Sequence, residues 1–422
     1  MNVADVDDLR ARLELSGGRA VDDPAAADLV LVNTCTVRAK AEEKAYSFFG
    51  ELKRLKNGSG REPLLVAMGC VVPRNRESLE RRFPHLDLLV DYSDPDSVMD
   101  ILRERFPPLA NTADVSDYEP LLDPRHCPQR FVTAIRGCHH GCSFCVVPRA
   151  RGPQRDVPLS RIVQEARALE RAGAPDLTVL GQNVLAYGTT SGDRTPRFVE
   201  LMRTLLAETG FRWITFLTSL PGDLTDAICE QVIAHPRITP LLHLPVQSGS
   251  DKVLSDMRRG HDVDHYRRMA ARARACRPDL YLTTDLLVGF PTETEADYRA
   301  TLALVEEIGF DDAFMFAYSE RPGTLAARKY EDALPRSEKH ARLNDLIARQ
   351  RELGAARNRR YVGRTLDAII EHADEHGAVA RTAFNKPVQL AGARTAVGQY
   401  ARVRITASKV SSFSGEEVRE QQ

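Results

Sequence analysis

The chain has 422 residues, and its 58 Lys and Arg nearly balance 59 Asp and Glu, which leaves a formal net charge of −1. This length allows two or three domains, and the balanced charge excludes a protein that is basic throughout, so any nucleic-acid site must come from local clustering. No apolar run is long enough to span a bilayer and the N-terminus lacks the apolar core of a signal peptide, so we expect a cytoplasmic protein that contacts no membrane.

The first hundred residues alternate between short apolar runs and helical patterns, the clearest helix being 40–56. The strands predicted in this part are 28–33, 64–68 and 86–90. Strands that alternate with helices favour a parallel sheet, and ligands gather at the carboxyl ends of such strands. Cys35 and Cys70 fall at two of these ends.

The β/α alternation resumes from residue 130 to about 333 with six predicted strands. These are 131–135, 177–180, 213–217, 241–246, 281–288 and 312–317. Six such units predict an open or partial (β/α)6 barrel. Before it, residues 107–128 lack periodicity and are rich in Pro and Asp, which is typical of a linker.

A long polar helix at 338–360 precedes four short, glycine-separated strands, which predict a small β-barrel. These strands are 365–372, 378–382, 388–390 and 399–407. The predicted fold class is therefore α/β, with an N-terminal parallel α/β domain, a central partial barrel and a C-terminal β-barrel. The predicted boundaries are 1–106, linker 107–128, 129–355, 356–412 and a tail at 413–422.

Three of the eight cysteines form one motif, GCHHGCSFC at 137–145, directly after the first barrel strand. Its C-x3-C-x2-C spacing offers three thiolates from one loop, which is enough to hold a [4Fe–4S] cluster with one iron left open. The alternative is a structural zinc loop completed by His139, His140 or Cys127, although zinc loops more often use C-x2-C pairs. Cys229 and Cys276 are isolated on helix-like segments, and we expect both to be buried.

The motif closely resembles the cluster loop of radical S-adenosylmethionine (SAM) enzymes. The resemblance implies that Cys138, Cys142 and Cys145 hold the cluster and that SAM binds its open iron. Electron transfer into the sulfonium would then release a 5′-deoxyadenosyl radical. Phe144 matches the aromatic residue that lies near the adenine in that family.

Further motifs are similar to the methylthiotransferases within that superfamily, essentially from end to end. They are NTCTVR at 33–38, MGC at 68–70, LGQNV at 180–184, HLPVQSGS at 243–250, DLLVGFP at 285–291, YSERPGT at 318–324 and RTAFNK at 381–386. The last resembles the RNA-binding TRAM domain. CVVP at 145–148 together with LGQNV most resembles the branch that acts on N6-isopentenyladenosine in tRNA. The threonylcarbamoyladenosine branch and the branch acting on a ribosomal-protein aspartate are the alternatives.

The resemblance implies a transferase that adds a 2-methylthio group to isopentenyladenosine beside the anticodon. Its cofactors would be SAM and two [4Fe–4S] clusters, the second on Cys35 and Cys70 as the sulfur source. Its partners would be a tRNA anticodon stem-loop, an electron donor such as flavodoxin or ferredoxin, and a sulfur or cluster donor, and we expect a monomer. The residues expected to bind cofactor at barrel strand ends are Gly181, Gln182, Asn183, Ser219, Gln247 and Gly289, unless they only cap strands.

The chain departs from the family in its second cluster, which needs three cysteines where this sequence shows two. In relatives the first of the three lies just before a Met-Asn pair, and this chain begins at that pair with Met1 and Asn2. We expect a longer native chain that carries the missing strand and cysteine. Cys127 is the alternative third ligand.

A local excess of positive charge marks the C-terminal part, with ten Lys or Arg against four Asp or Glu between residues 356 and 410. Such clustering favours phosphate contact, and we expect Phe384 to stack on an unpaired base. By resemblance, Arg381, Asn385 and Lys386 join it in RNA binding, unless Phe384 lies in the core. Other function classes remain: a radical enzyme with another outcome, or a non-catalytic RNA-binding protein with a structural metal.

Overall fold

The structure, a computed structural model, describes residues 2–36, 39–56, 62–91, 95–109, 130–190 and 195–418. Most of the predicted linker, with Cys127, lies outside these residues, as do Val37 and Arg38 of the NTCTVR motif. The chain divides into two compact units, residues 1–121, 135–141 and 145–157 forming the first and the remaining residues the second. None of the described helices is both long and apolar enough to cross a bilayer.

The first unit is built on a parallel three-stranded sheet in the order β1-β2-β3. Its strands are β1 (Leu29–Thr34), β2 (Leu64–Gly69) and β3 (Leu88–Val90), and its helices are α1 (Asn2–Leu15), α2 (Ala39–Leu52), α3 (Val72–Arg82) and α4 (Pro95–Arg105). Val66 and Met68 of β2 pack in one hydrophobic cluster, whereas Leu65 and Ala67 pack in another. Both faces of β2 are therefore buried, which explains its continuous apolar sequence.

The segment that carries the cysteine motif contributes to both units. Its elements are β4 (Phe131–Thr133), β5 (Ile135–Arg136), α5 (Val147–Arg151) and β6 (Arg155–Asp156). In the first unit, β5 pairs antiparallel with β6, and α5 packs against α3. In the second unit, β4 pairs with β7. The loop that bears the three cysteines lies between β5 and α5.

The second unit contains two parallel three-stranded sheets that follow chain order, β4-β7-β8 and β9-β10-β11. Beyond β4, the strands are β7 (Leu177–Leu180), β8 (Ile214–Leu217), β9 (Leu241–His243), β10 (Tyr281–Val288) and β11 (Asp312–Ala317). The helices are α6 (Leu159–Arg171), α7 (Phe198–Glu208), α8 (Asp226–Ile228), α9 (Asp251–Asp256), α10 (Val263–Cys276), α11 (Glu295–Ile308), α12 (Leu325–Lys329) and α13 (Arg336–Asn358). All six predicted strands are present, and the predicted (β/α)6 arrangement is confirmed.

The C-terminal part of the second unit is a closed five-stranded barrel in the order β12-β13-β14-β16-β15. Its strands are β12 (Thr365–Asp374), β13 (Gly377–Thr382), β14 (Pro387–Leu390), β15 (Tyr400–Ser408) and β16 (Phe413–Glu417). The small barrel was predicted, but its end at residue 412 is wrong. Phe413 is fully buried, and β16 pairs with both β14 and β15, so the barrel closes only through part of the predicted tail.

Candidate functional site

The cysteine loop begins at a glycine that no other residue can replace without strain. Gly137 has a φ of 72°, and a β-carbon there would lie 2.6 Å from the carbonyl oxygen of Gly152. The amide of Cys138 donates to that same oxygen at 3.2 Å. The chain therefore leaves β5 in a fixed direction, held against the segment that follows α5.

The sulfur atoms of the loop accept hydrogen bonds from the surrounding protein. All three cysteines are partly exposed. The amide of Val147 donates to Cys145 Sγ at 3.4 Å, and Arg259 Nη1 donates to Cys142 Sγ at 3.3 Å. Three sulfur atoms from one loop, two of them with hydrogen-bond donors beside them, form a donor set that fits an iron–sulfur cluster.

Arg259 was not predicted from the sequence. Its side chain is buried, and its Nη2 atom donates to the carbonyl oxygen of Pro245 at 2.8 Å, which fixes the guanidinium between a strand end and the sulfur. The preceding residue, Arg258, has a left-handed φ of 56°. In the sequence, Arg259 is only an arginine before a glycine that follows a short helix, and this pattern does not predict a contact with a cysteine sulfur.

The centre of the cysteine loop is anchored in the second unit. The amide of Ser143 donates to the oxygen of Met257 at 2.9 Å, and its own oxygen accepts from the amide of Ala326 at 2.7 Å. Phe144 packs against a cluster of buried side chains that includes Leu287 and Phe290. The aromatic residue predicted to lie near adenine is thus held at the carboxyl end of β10.

Two strand ends of the second unit contain strained backbone. Thr218 and Gln247 have φ values of 71° and 75°, a region that residues other than glycine rarely adopt. Backbone bonds of Gln247 to Asp285 and Leu287, each of 2.9 Å, hold this conformation. Such strain clusters at functional sites. The role of Gln247 in cofactor binding stays a prediction, and the strained Thr218 was not predicted.

Ser219 is buried, and within the described part of the chain its Oγ has no hydrogen-bond partner. A buried hydroxyl without a partner is costly, so this atom is suited to accept or donate a bond to a ligand. Gly181 and Gln182 follow β7 directly and are buried and half-buried. Both therefore stand at a strand end, as predicted.

Two residues predicted to bind cofactor are engaged by the protein instead. The Oδ1 atom of Asn183 accepts from the amide of Leu220 at 3.0 Å, and its Nδ2 atom donates to Asp223. The amide of Gly289 donates to Glu293 at 2.8 Å, and Lys339 fills the space where a β-carbon would lie. Hydrogen bonds within the protein therefore account for the Asn183 side chain. Close packing and a hydrogen bond to Glu293 account for the glycine at position 289.

The other pair of cysteines follows adjacent strands of the first unit. Thr34 at the end of β1 is in register with Gly69 at the end of β2, so Cys35 and Cys70 come next on neighbouring strands. Gly69 has a φ of 96°, and a β-carbon there would lie 2.6 Å from the oxygen of Thr34. Glycine is thus required for the close approach, and the sequence placed both cysteines at the correct edge.

Cys70 is buried beside an arginine that the sequence did not identify. Arg151 Nε donates to Cys70 Sγ at 3.2 Å, and its Nη2 atom donates to Asn2 at 2.6 Å and to the buried Asp5 at 3.1 Å. Burial raises the pKa of the Cys70 thiol, and the charge of Arg151 opposes that effect. Because Arg151 ends the helix that follows Cys145, it links the two cysteine segments within this unit.

The residues predicted to bind RNA are mostly buried against the central strands. The ring of Phe384 stacks between those of Tyr281 and Tyr361, with centroids 4.7 and 4.9 Å away. Arg381 lies 3.0 Å from the fully buried Asp176. The predictions of base stacking by Phe384 and of phosphate contact by Arg381 are therefore wrong, because protein partners already use these side chains.

The remaining two residues of that motif also face protein. Lys386 Nζ donates to Tyr281 Oη at 3.0 Å and to the oxygen of Val410 at 2.6 Å, and burial lowers the pKa of this amine. Asn385 adopts a φ of 61° and accepts from Arg381 at 3.3 Å. The prediction for Lys386 is wrong, and Asn385 serves the tight turn between β13 and β14.

A different surface of the barrel is open and basic. A depression of about 650 Å³ is lined by three arginines and an aromatic ring, Arg212, Arg394, Arg402 and Tyr400, and also by two carboxylates, Asp367 and Glu417. The three arginines are exposed. The Arg212 guanidinium lies 4.6 Å from the centre of the Tyr400 ring and also pairs with Asp367. This arginine depression combines cationic and aromatic groups, which suits a nucleic acid.

Comparison with known families agrees with this geometry. The radical SAM superfamily matches residues 132–305, and an uncharacterised protein family, UPF0004, matches residues 1–91. A radical SAM methyltransferase, TsrM from Kitasatospora setae, solved with cobalamin and a [4Fe–4S] cluster, shares the fold with a TM-score of 0.53. It is 15% identical, over 76% of this chain and 69% of that one. The fold and the three-cysteine loop thus define a radical SAM protein.

Full-length relatives narrow the assignment. Two tRNA-2-methylthio-N(6)-dimethylallyladenosine synthases are similar to nearly the whole chain. The protein from Cereibacter sphaeroides is 39% identical over 99% of this chain and 96% of its own length. The protein from Thermus thermophilus is 38% identical over 99% of this chain and 90% of its own. The chain belongs to the family of tRNA-2-methylthio-N(6)-dimethylallyladenosine synthases.

Proposed function

We propose that the chain is a radical SAM methylthiotransferase that replaces the C2–H of N6-dimethylallyladenosine (isopentenyladenosine) in tRNA with a methylthio group. The observation that carries this proposal is full-length similarity to synthases of that name in a chain that keeps the three-cysteine loop. No feature of the described residues favours the threonylcarbamoyladenosine or ribosomal-protein branches over this one.

In this proposal, Cys138, Cys142 and Cys145 hold a [4Fe–4S] cluster to which SAM binds. When bound, these groups supply one-electron chemistry, which suits the adenine C2–H because it is neither acidic nor electrophilic. Arg259 and the Val147 amide keep two of the sulfurs in a polar environment, at 3.3 and 3.4 Å. Phe144 offers an apolar surface beside the cluster, and Gln182, Ser219 and Gln247 provide polar contacts to SAM.

A second cluster, which supplies the sulfur, is proposed on Cys35 and Cys70. Strand register brings the two cysteines to one sheet edge, and Arg151 stabilises negative charge on Cys70. Helix α3, which follows Cys70, contacts helix α5, which follows Cys145. This contact supports a position of the proposed second cluster near the segment after Cys145. An electron donor and a sulfur or cluster donor complete the reaction as external partners.

The tRNA partner is proposed to contact the arginine depression rather than the β13–β14 turn. Arg394 and Arg402 are exposed there, and Tyr400 is only half-buried. Neutralising phosphates with such side chains gives sequence-independent affinity. In this proposal the depression orients the stem-loop, and recognition of the modified base occurs elsewhere in the second unit.

The test is nucleoside analysis by mass spectrometry. The chain is expressed in bacterial cells that make isopentenyladenosine but lack their own methylthiotransferase, beside the Cys142→Ala variant. We expect 2-methylthio-isopentenyladenosine with the first and none with the second. A methylthio group found only on threonylcarbamoyladenosine would assign the chain to that branch, and none on any nucleoside would contradict the proposal.

Iron and sulfide analysis gives an independent readout of the clusters. After anaerobic reconstitution, two cubane clusters correspond to about eight irons per chain and one to about four. We expect Cys142→Ala to lose about four irons. We expect Cys70→Ala to lose the iron that is bound at Cys35 and Cys70. An unchanged iron content in Cys142→Ala would remove this residue from the proposed ligand set.

A further inference from the structure

The sheet β9-β10-β11 has one closed face, completely buried along β10, and one face that is open around Asp285 of β10. The residues of β10 on the closed face are completely buried: Leu282, Thr284, Leu286 and Val288. The alternate residue Asp285 keeps 28% of its side chain exposed. The register pairs Asp285 with Phe314 of β11 and Thr283 with His243 of β9. Because paired residues in neighbouring parallel strands point to the same face, these four side chains share the open one.

These four side chains form a polar and aromatic group. Phe314 is 55% exposed, the highest value among the large hydrophobic residues that the structure describes. The ring of His243 meets it edge-on with centroids 5.8 Å apart. His243 Nε2 lies 3.5 Å from Asp285 Oδ1, and its Nδ1 lies 2.9 Å from Thr283 Oγ1. The imidazole thus lies beside both the carboxylate and an aromatic ring that is more than half exposed.

This group continues into the proposed reaction site. One step further along the same face, Leu287 of β10 pairs with Phe316 of β11. Both residues pack with the cluster of side chains that receives Phe144 from the cysteine loop. At about 3.3 Å per residue, Phe314 therefore stands about 7 Å along the strand from the residues that contact the cysteine loop. A planar group laid on Phe314 would lie next to the proposed cofactor.

We propose that Phe314 is the stacking surface for the N6-alkylated adenine of the RNA substrate. Asp285, positioned by His243, accepts the hydrogen bond of the single N6–H that such a base retains. This inference rests on the proposed function and assigns the residues that read the base. Aromatic rings bind splayed bases by stacking, and a carboxylate accepts from an exocyclic amine. C2 and N6 lie on the same edge of adenine. A hydrogen bond to N6–H therefore fixes the orientation of the edge that carries C2, the atom that is modified.

The first experiment measures binding of an anticodon stem-loop containing N6-isopentenyladenosine to the full chain. We expect Phe314→Ala to raise the Kd about tenfold or more, as the loss of one stacked base predicts. The matched control is Phe48→Ala, because Phe48 is also exposed, at 39%, but lies on α2 of the first unit. Equal effects of the two substitutions, or no effect of either, would overturn the proposal.

The affinity for SAM, measured in parallel, shows whether the ring stacks on the adenine of the RNA substrate or on that of SAM. Weaker RNA binding with an unchanged SAM affinity supports the assignment to substrate. A loss of SAM affinity in Phe314→Ala would assign the ring to the cofactor and overturn the proposal.

The second variant tests the hydrogen bond. Stem-loops with N6-isopentenyladenosine and with N6-methyl-N6-isopentenyladenosine differ in the N6–H. We expect the unsubstituted chain to prefer the first about tenfold, and Asp285→Ala, which removes the acceptor, to lose that preference. A preference retained by Asp285→Ala would overturn the role of the carboxylate. If the unsubstituted chain does not distinguish isopentenyladenosine from adenosine, the proposed function itself fails, and this inference fails with it.

Discussion

Two surfaces of the C-terminal barrel carry similar numbers of basic side chains but differ in the burial and the pairing of those side chains. At the β13–β14 turn, Arg381 and Lys386 are buried and bonded to Asp176 and Tyr281. At the arginine depression, Arg402 and its neighbours line an open concavity. The turn contains the recognisable RTAFNK motif, whereas the depression has no motif at all.

A local excess of Lys and Arg in the sequence therefore does not locate an RNA-binding surface. A buried arginine must be paired, because an unpaired buried charge costs several kcal/mol, so the turn uses its basic residues for attachment to the central strands. An exposed arginine carries no such requirement and stays available to a phosphate. Burial and pairing therefore separate the two uses, and sequence alone shows neither.

The largest effect that would test this comparison is on stability. Phe384→Ala should lower the free energy of unfolding by about 3–5 kcal/mol, because it leaves a cavity between the two tyrosine rings. Chemical denaturation of the full chain measures this change, with Arg402→Ala as a surface control expected to stay within about 0.5 kcal/mol. If Phe384→Ala instead left stability unchanged and weakened RNA binding, the turn would be an RNA surface after all.

A smaller effect is expected on affinity at the depression. Arg402→Glu should raise the Kd for tRNA about tenfold, because it removes an ionic interaction with a phosphate and adds a repulsive charge. Fluorescence anisotropy at fixed salt measures this change. Arg404→Glu is the matched control, since Arg404 is exposed on the same strand but pairs with Glu416 and does not line the depression. Equal decreases in affinity for both variants would mean that overall charge, rather than the depression, sets the affinity.

The fold was largely predictable from the sequence because its pattern is local. The strands of the central part are largely apolar runs, and residues 281–288 were predicted with the same bounds that β10 has. The strand β16 was missed because Phe413–Glu417 contains one large apolar residue and two glutamates. Such a strand is defined by its partners β14 and β15 rather than by its own sequence.

The site could be predicted from the sequence only where its chemistry depends on particular residues that lie close together in the chain or at the end of a predicted strand. The three-cysteine loop and the two strand-end cysteines met that condition. Arg151 and Arg259 did not, because each reaches a sulfur from a residue distant in sequence, 81 positions from Cys70 and 117 from Cys142. The open face with Phe314 was missed for a related reason, since the exposure of a strand residue depends on what packs opposite it.

The smallest expected effect is on the salt dependence of RNA binding. This measurement distinguishes most directly between the arginine depression and the β13–β14 turn. Removing one ion pair between a cationic side chain and a phosphate lowers the slope of log K against log salt by about 1. Arg402→Ala should show this decrease. Lys386→Met, which replaces a buried amine of similar length, should leave the slope unchanged, because Lys386 donates to Tyr281 and to the Val410 oxygen rather than to solvent. Binding is measured between about 50 and 200 mM salt, the range in which such slopes are resolved. A lower slope in Lys386→Met with an unchanged slope in Arg402→Ala would reverse the roles of the two surfaces.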